Sequence, residues 1–457
     1  NKYETPLFEF NPNWYSDDFE YYDYDEHKTK IKEEDLNEFY VHAIVDASSV
    51  YLPVKGERLK PISYKRNYEE LIGLFNIDNS GAKDLLTNYE NKFIDSVKDF
   101  KTIVDDFSEY INEDNRDLTI DQIRTQVLSS AKKLWDEAVW QVQGHNLTTK
   151  NKDPKTGEEK TVVTKVPALL DDRPLYWARL AMQVILKRHP VFEKDIDLEK
   201  SIVKKGTELE KIIQLFEEKS RNYTGIDFSK AGSKKKVLIT GFDPFQLDPK
   251  YYLFNSESVG PNTFNPSGVV VLALNNFADE FFIQTCIFPV RYEDFDNECV
   301  EKVIRKHISQ VDVILTTSRN HEKAFDVEKY AIAYRGGFHD NLNIGNSSKK
   351  YDSSRFITNT SSIKTETTLP QNKIFGGLEI FKTKILGEPI DFDINASEIL
   401  GSGSNYLSNE VMYRSTTVRD NFKSRIPVGH FHLRNISFAS VNVFSKVVIK
   451  LIKKIIL

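Results

Sequence analysis

The spacing of apolar residues divides the chain into a helical half and a half in which strands and helices alternate. Between residues 67 and 142, apolar side chains recur every three or four positions, which is the period of an amphipathic helix. Thr119 opens a Thr-Ile-Asp-Gln stretch that predicts a capping box and a helix start. Asp171-Asp-Arg-Pro174 predicts another start, because proline is favoured in the first helical turn. A further helix is predicted over about residues 197–220.

The second half alternates apolar runs of strand length and helix length. These runs cover residues 236–240, 268–277, 281–288, 293–308 and 311–316. Such alternation indicates an α/β fold with a mainly parallel open sheet and helices on both faces, preceded by a mostly α-helical N-terminal domain. Ligands bind at the carboxyl ends of strands in sheets of this kind. The Gly241-Phe242 turn, a loop at 316–320 and a loop at 401–408 each follow a strand-like segment, so we expect them to converge.

The same patterns predict three parts of the chain. Residues 1–60 are acidic and aromatic, and both a docking segment and an irregular terminus fit that composition. Residues 61–225 form the predicted helical domain, with an exposed loop or hairpin tip at 150–160. Residues 224–235 are predicted to be a linker, and residues 234–457 form the α/β domain. The helical domain carries no catalytic motif, so we expect it to flank the site or to bind a protein partner.

Composition limits the classes of function. Of the 457 residues, 40% are hydrophobic, which is enough for a folded core, and the net charge of −6 gives no sign of nucleic-acid binding. No apolar run is long enough for a membrane span. The chain begins at Asn1, which fits removal of a secretion signal or trimming, so a secreted location is one expectation. Of the two cysteines, Cys286 lies in an apolar run and is expected to pack as a small buried side chain rather than to pair with Cys299.

Candidate chemistry begins at Ser408, where a glycine/serine-rich loop meets a helix-like run. A nucleophile there would lie at a helix N-terminus, which favours developing negative charge. His430 and His432 follow on a strand-like segment, and Glu328 lies upstream, so that hydroxyl, imidazole and carboxylate groups are all present. On spacing alone, a helix N-cap is the simpler interpretation of Ser408, because 9 histidines and 68 acidic residues offer many chance triples.

Several further motifs occur in a characteristic order along residues 234–440. They are Gly241-Phe242-Asp-Pro244-Phe245, Asn265-Pro266-Ser267, Phe288-Pro289-Val290 and Val311-Asp-Val-Ile-Leu315, followed by the Glu328, Ser408 and His432 segments. In this order the C-terminal half resembles the pyroglutamyl peptidase I (pyrrolidone-carboxylate peptidase) family. The resemblance covers somewhat under half of the chain.

The resemblance implies a hydrolase that removes N-terminal pyroglutamate, or a related small cyclic group, from a small peptide or amide. It implies Ser408 at the position of the family's catalytic cysteine, His432 as the catalytic histidine and Glu328 as the catalytic carboxylate. Phe242 and Phe245 match the aromatic pair that flanks the pyroglutamyl ring, and Leu407 adjoins them as a substrate-binding residue. Neither a metal nor another cofactor is implied.

The chain also departs from the family pattern. Serine replaces cysteine, the family's Gly-Gln-Ala-Gly-Gly-Arg-type loop is replaced by Thr316-Thr-Ser-Arg-Asn320, and segments near 246–263 and 341–400 are inserted. A natural serine enzyme is the favoured explanation, with an engineered cysteine-to-serine variant and a catalytically inactive binding or regulatory protein as alternatives. A zinc hydrolase is a further alternative, because His430 and His432 share one strand face and could bind zinc together with Glu328.

Overall fold

A computed structural model describes most of the chain beyond residue 92. The described residues are 93–112, 114–152, 159–197, 202–245, 263–320, 325–333, 335, 340–341, 364–375, 406–434 and 442–456, together with five short strands. The predicted N-terminal segment therefore lies almost entirely outside the described residues. The same holds for the insertion near 246–263 and the glycine/serine-rich loop at 401–405.

The described part of the N-terminal half contains four α-helices. They are α1 (Lys98–Tyr110), α2 (Ile120–Gln143), α3 (Arg173–Arg188) and α4 (Glu208–Ser220). The capping box at Thr119 is confirmed, since its side chain accepts from the backbone N–H of Gln122 and the Gln122 side chain bonds back. The predicted helix start at residue 197 is wrong. Strands β5 (Ile196–Asp197) and β6 (Ile202–Val203) pair there, and α4 begins only at Glu208, where Thr207 caps it.

Several short antiparallel pairs accompany the helices. On either side of the hairpin tip predicted at 150–160, β3 (His145–Lys152) pairs with β4 (Glu159–Val166), whereas residues 153–158 lie outside the described residues. The remaining pairs are β1 (Pro53–Val54) with β2 (Glu57–Arg58), β11 (Tyr330–Ile332) with β12 (Lys364–Glu366), and β13 (Lys382–Ile385) with β14 (Glu388–Asp391). None of the described helices is long and apolar enough to cross a membrane.

A six-stranded sheet organises the C-terminal half. Its strands are β7 (Lys235–Phe242), β8 (Phe281–Phe288), β9 (Val313–Arg319), β10 (Phe325–Glu328), β15 (Ile394–Ser397) and β16 (Val428–Leu433). They lie in the order β15-β10-β16-β9-β7-β8. All neighbouring pairs are parallel except β10 with β16, which is antiparallel. The mixed α/β fold with a mainly parallel sheet is therefore confirmed.

Helices cover both faces of this sheet. They are α5 (Pro266–Leu274), α6 (Tyr292–Asp296), α7 (Cys299–His307), α8 (Gln371–Phe375), α9 (Leu407–Asn421) and α10 (Asn442–Ile456). Alternate residues of β7 serve different faces. Val237 and Ile239 belong to the buried cluster that includes side chains of α1–α5 and α10, whereas Leu238 belongs to the cluster that includes side chains of α7 and α9. One cluster of buried side chains thus runs from the N-terminal helices into the sheet.

Three further sequence-based expectations can be compared with the structure. Most residues of the predicted linker at 224–235 are exposed, but Ile226, Phe228 and Ala231 are buried and anchor the segment to the core beneath the sheet. The predicted loop at 316–320 is largely strand, since β9 continues to Arg319. Cys286 is fully buried as a free cysteine within the apolar core, as expected.

Candidate active site

A pocket opens where β7, β9 and β16 end and α9 begins. Its empty volume is about 420 Å³ when the open mouth is included. The lining residues are Phe242, Phe245, Asn265, Val290, Ser318, Arg319, Asn320, Tyr406, Leu407, Ser408 and His432. Five of the six residues singled out from the sequence line this pocket directly.

Ser408 is the second residue of α9, whose N-cap is Tyr406. The interpretation of Ser408 as an N-cap is therefore wrong, because its side chain lies within the first helical turn and on the pocket wall. The next residue holds this turn in place. Asn409 accepts from Ile332 N–H through Oδ1 and donates to Ile332 O through Nδ2, both at 2.9 Å. This double hydrogen bond ties the start of α9 to β11.

His432 and Glu328 form a buried pair on neighbouring strands. β10 runs antiparallel to β16 with Glu328 opposite His430, so Glu328 reaches His432 diagonally across the two strands. His432 Nδ1 lies 2.7 Å from Glu328 Oε1. The two residues are 3% and 1% exposed. Glu328 therefore lies in a buried strand of the sheet. A carboxylate bound at Nδ1 fixes the orientation of the ring.

Ser408 and His432 line the same pocket without a hydrogen bond between them. The described residues contain no hydrogen bond from the Ser408 hydroxyl, although the residue is only 8% exposed. Catalytic hydrogen bonds are often long before substrate binds and shorten in the reactive complex. The arrangement thus supplies a hydroxyl, an oriented imidazole and a buried carboxylate around one cleft.

Phe242 and Phe245 contribute to the pocket in different ways. Phe242 is stacked on Phe295 at a centroid distance of 6.0 Å, so it is part of the core as well as of the pocket wall. The guanidinium of Arg319 lies 4.2 Å from the centroid of the Phe245 ring. Burial lowers the pKa of Arg319 to about 10, so this side chain remains a cation near neutral pH. Arg319 was not singled out from the sequence.

His430 does not serve the zinc site expected from the His430-Phe-His432 spacing. Its Nδ1 lies 2.8 Å from Thr316 Oγ1 and its Nε2 lies 2.8 Å from Ser318 Oγ, so both ring nitrogens face hydroxyl groups. The potential ligand atoms that do lie close together belong to Asp326, Glu328 and His432, all within 4.8 Å. Binding a metal through His432 Nδ1 would displace the Glu328 hydrogen bond, so the geometry favours the imidazole–carboxylate pair.

Residues of the helical half hold the loops that line the pocket. Asp243, in the Gly-Phe-Asp-Pro-Phe turn, is paired with Arg179 of α3 at 3.1 Å and with Arg221, just after α4, at 2.6 Å. All three side chains are nearly inaccessible to solvent. The sequence did contain a signal for this pairing, since Arg179 is a single arginine in an otherwise apolar stretch of α3. A buried charge requires a partner of opposite charge.

Asp172 holds the second of these loops. Both of its carboxylate oxygens lie 3.1 Å from Asn265 N, and Asn265 in turn donates from Nδ2 to Asp243 O at 2.8 Å. Asn265 also caps α5 by accepting from Ser267 N–H. Burial, together with the neighbouring Asp171, raises the pKa of Asp172 well above its ordinary value.

Comparison of the sequence with protein families gives two matches. Residues 83–204 match the family described as the PA0049 N-terminal domain, and residues 236–374 and 386–437 match the family described as the PA0049 C-terminal domain. A relative described as "Uncharacterized protein PA0049", from Pseudomonas aeruginosa, is 24% identical, with 68% of this chain and 71% of that protein aligned.

Solved structures of two peptidases are also similar to part of this chain. A mutant of pyrrolidone carboxyl peptidase from Pyrococcus furiosus is 20% identical to this chain, with a TM-score of 0.38. The alignment covers 48% of this chain and 97% of the peptidase chain. Pyroglutamyl peptidase I from Bacillus amyloliquefaciens is 21% identical with a TM-score of 0.37, covering 49% of this chain and 95% of its own.

Proposed function

We propose that this protein is a serine-type peptidase or amidase that removes N-terminal pyroglutamate or a related small cyclic acyl group. The observation that carries the proposal is the buried His432–Glu328 pair, 2.7 Å apart, at a pocket that Ser408 also lines. The serine hydroxyl is not ionised near neutral pH and needs a base of this kind. The motif order along the sequence supplies the substrate class.

In the proposed acylation, Ser408 Oγ attacks the carbonyl carbon of the scissile amide and gives its proton to His432 Nε2. The C–N bond then breaks, and the same proton passes from His432 to the departing amine. Glu328, bound at Nδ1, holds the ring and stabilises its charged form. Attack by water, with His432 again accepting the proton, hydrolyses the acyl-enzyme and restores the serine.

The start of α9 would stabilise the oxyanion formed in each step. The first N–H groups of a helix have no carbonyl partner within the helix, and Ser408 lies in that first turn. Donors aimed at a developing oxyanion typically contribute about 2.7–4 kcal/mol to catalysis. The Asn409–Ile332 hydrogen bonds keep the turn from shifting.

The remaining walls suit a small flat acyl group. Phe242, Phe245 and Leu407 provide apolar surface, and a planar ring packs well against aromatic faces. Arg319 adds a cationic hydrogen-bond donor beside Phe245, which can bind a carbonyl oxygen of the acyl group. Arg319 belongs to the segment Thr316–Asn320, which replaces the Gly-Gln-Ala-Gly-Gly-Arg-type loop of the family that the chain resembles.

Hydrolysis of a fluorogenic pyroglutamyl amide tests the proposal. We expect turnover by the parent, loss of at least about a thousandfold in kcat in Ser408→Ala and in His432→Ala, and retained activity in Ser415→Ala. Ser415 is the matched control, because it is a buried serine of the same helix and does not line the pocket. Full activity in Ser408→Ala would refute Ser408 as the nucleophile.

An inactive binding protein is the second candidate. The observation that favours it is the missing hydrogen bond between Ser408 and His432 among the described side chains, together with serine in place of cysteine. Ser408→Cys separates the two candidates, since a thiol is a stronger nucleophile in this setting. No turnover by the parent, together with turnover by Ser408→Cys, would indicate an intact pocket that binds substrate without reacting.

A further inference from the structure

A second imidazole forms a hydrogen-bonded chain with two hydroxyl groups beside the proposed catalytic pair. Thr316 and Ser318 project from the same face of β9, and His430 of the adjacent strand β16 lies between them, 2.8 Å from each hydroxyl. His430 is fully buried, whereas Ser318 lines the pocket. The His430 ring lies edge-on to the His432 ring, with the two ring centroids 4.6 Å apart.

We assign the protons in this chain by counting donors and acceptors. A hydroxyl has one proton, and Gly429 O, 3.1 Å from Thr316 Oγ1, can only accept, so we assign the Thr316 proton to that bond. With this assignment Thr316 Oγ1 accepts from His430 at 2.8 Å, which places the ring proton on Nδ1. Burial, reinforced by the nearby His432, lowers the pKa of His430 well below its usual range, so the ring carries one proton. His430 Nε2 is then an acceptor, and the Ser318 hydroxyl donates to it.

The consequence reaches the pocket through Ser318. With its proton committed to His430, the Ser318 oxygen presents only lone pairs to a ligand. We propose that Ser318 is a specificity-determining residue that accepts a hydrogen bond from an N–H group of the bound acyl moiety, and that His430 and Thr316 are positioning residues that fix its polarity. This inference rests on the proposed function, because it specifies which cyclic acyl groups the pocket takes.

The acceptor at Ser318 would distinguish a lactam from the matching lactone. The ring of 5-oxoproline, the lactam, offers an N–H group. In 5-oxotetrahydrofuran-2-carboxylate, the lactone, a ring oxygen replaces that N–H group. The lone pairs of this ring oxygen would then face the lone pairs of the Ser318 oxygen. A buried polar group left without its partner is costly, so the lactone should bind on the order of tenfold more weakly or worse. The carboxylate and the ring size are the same in both compounds.

Binding of these two compounds, measured by calorimetry without any turnover, tests the inference. We expect the parent and the Ser415→Ala control to prefer the lactam by about tenfold or more, and Ser318→Ala to bind both compounds equally. Equal binding of both by the parent would overturn the role of Ser318 and leave the proposed function standing. If the parent binds neither compound, the pyroglutamyl substrate class fails, and this inference fails with it.

The proton on His430 can be observed directly. Nitrogen-15 chemical shifts of histidine-labelled protein, with the His430 signals assigned by their absence in His430→Gln, should show the Nδ1–H tautomer. Thr316→Val should allow the other tautomer and weaken the lactam preference. Thr317→Val is the matched control, because Thr317 is buried on the opposite face of β9 and donates to Thr240 O at 2.8 Å. An Nε2–H tautomer in the parent would overturn the inference.

Discussion

Glu328 and Asp326 provide a close comparison of two carboxylates on one strand. Glu328 is bound to His432, whereas Asp326 accepts from Asn320 Nδ2 at 2.6 Å. In the proposed mechanism only Glu328 orients the base. Removing the charge of Glu328 should therefore reduce catalytic activity far more than removing the charge of Asp326. A metal bound by Asp326, Glu328 and His432 would instead need both carboxylates.

We therefore predict different outcomes for the two charge-matched variants. Glu328→Gln should lower kcat by about a hundredfold or more with little change in KM, because an amide favours the wrong ring tautomer and does not stabilise the imidazolium. Asp326→Asn should stay within about threefold of the parent. Steady-state kinetics on the pyroglutamyl amide measures both. Comparable losses in the two variants would contradict the assigned roles.

Individual residues also show how much of the site the sequence could predict. Ser408, His432 and Glu328 were found because local motifs surround them, and the structure brings His432 into contact with Glu328 and places Ser408 at the same pocket. Arg319 and Ser318 were missed because their segment was interpreted as a loop replacing a known motif. Arg319 contacts Phe245 and Ser318 contacts His430, and both partners are distant in sequence. Spacing along the chain carries no information about such contacts.

At the scale of elements, local signals predicted two helix starts and the alternation of strands and helices, but they missed the start of α4 and how the helices meet the sheet. Thr119 and Pro174 mark helix starts through interactions within a few residues. The contact of Asp172 with Asn265 joins the start of α3 to the start of α5 across more than ninety residues. Gly268 shows how closely the two segments approach, since a Cβ added there would lie 2.6 Å from Asp172 Oδ2.

The junction between α3 and α5 should make stability depend on pH. The folded-state pKa of Asp172 lies well above its ordinary value of 3.8, so the folded protein binds this proton more tightly than the unfolded chain does. Its contribution to stability is therefore fully present below about pH 3.8 and is lost as pH rises through the raised pKa.

Asp172→Asn should remove this dependence, because an asparagine resembles the protonated acid and its oxygen can still accept from Asn265 N–H. Relative to the parent, the variant should gain stability between pH 4 and pH 8. Urea unfolding midpoints at pH 4, 6 and 8 measure the difference. Parallel pH profiles for parent and variant would show that Asp172 does not carry the effect.

At the scale of the whole molecule, buried charges connect the helical half to the pocket. Arg179 and Arg221 both bind Asp243, and Arg221 also binds Glu217 of α4 at 2.5 Å. Removing one member of a buried network leaves another charge without full compensation, which typically costs about 3–5 kcal/mol. The network therefore connects the stability of α3 and α4 to the position of the Gly-Phe-Asp-Pro-Phe turn.

Arg179→Met should destabilise the protein by about 3–5 kcal/mol and reduce activity through the displaced turn. Arg305→Met is the control, because Arg305 pairs with Glu298 at 2.9 Å with both side chains nearly half exposed. That exposed pair should contribute less than about 1 kcal/mol. Urea unfolding of both variants measures the contrast. Equal, small effects would mean that the buried network does not support the turn.

The continuous core predicts that the helical half and the α/β half unfold together, although the sequence pattern divides them near residues 225–234. The described tryptophans, Trp135, Trp140 and Trp177, all lie in the helices, whereas Cys286 and Cys299 are buried in the α/β half. The fourth tryptophan, Trp14, lies outside the described residues, so the measurement uses a Trp14→Phe background. In that background, tryptophan fluorescence follows the helical half and thiol labelling follows the α/β half during urea unfolding. We expect coincident midpoints, since side chains of α1–α4 share one cluster with β7 and α5. Two separated transitions would show that the predicted domains are independently stable and that their shared cluster contributes little to cooperativity.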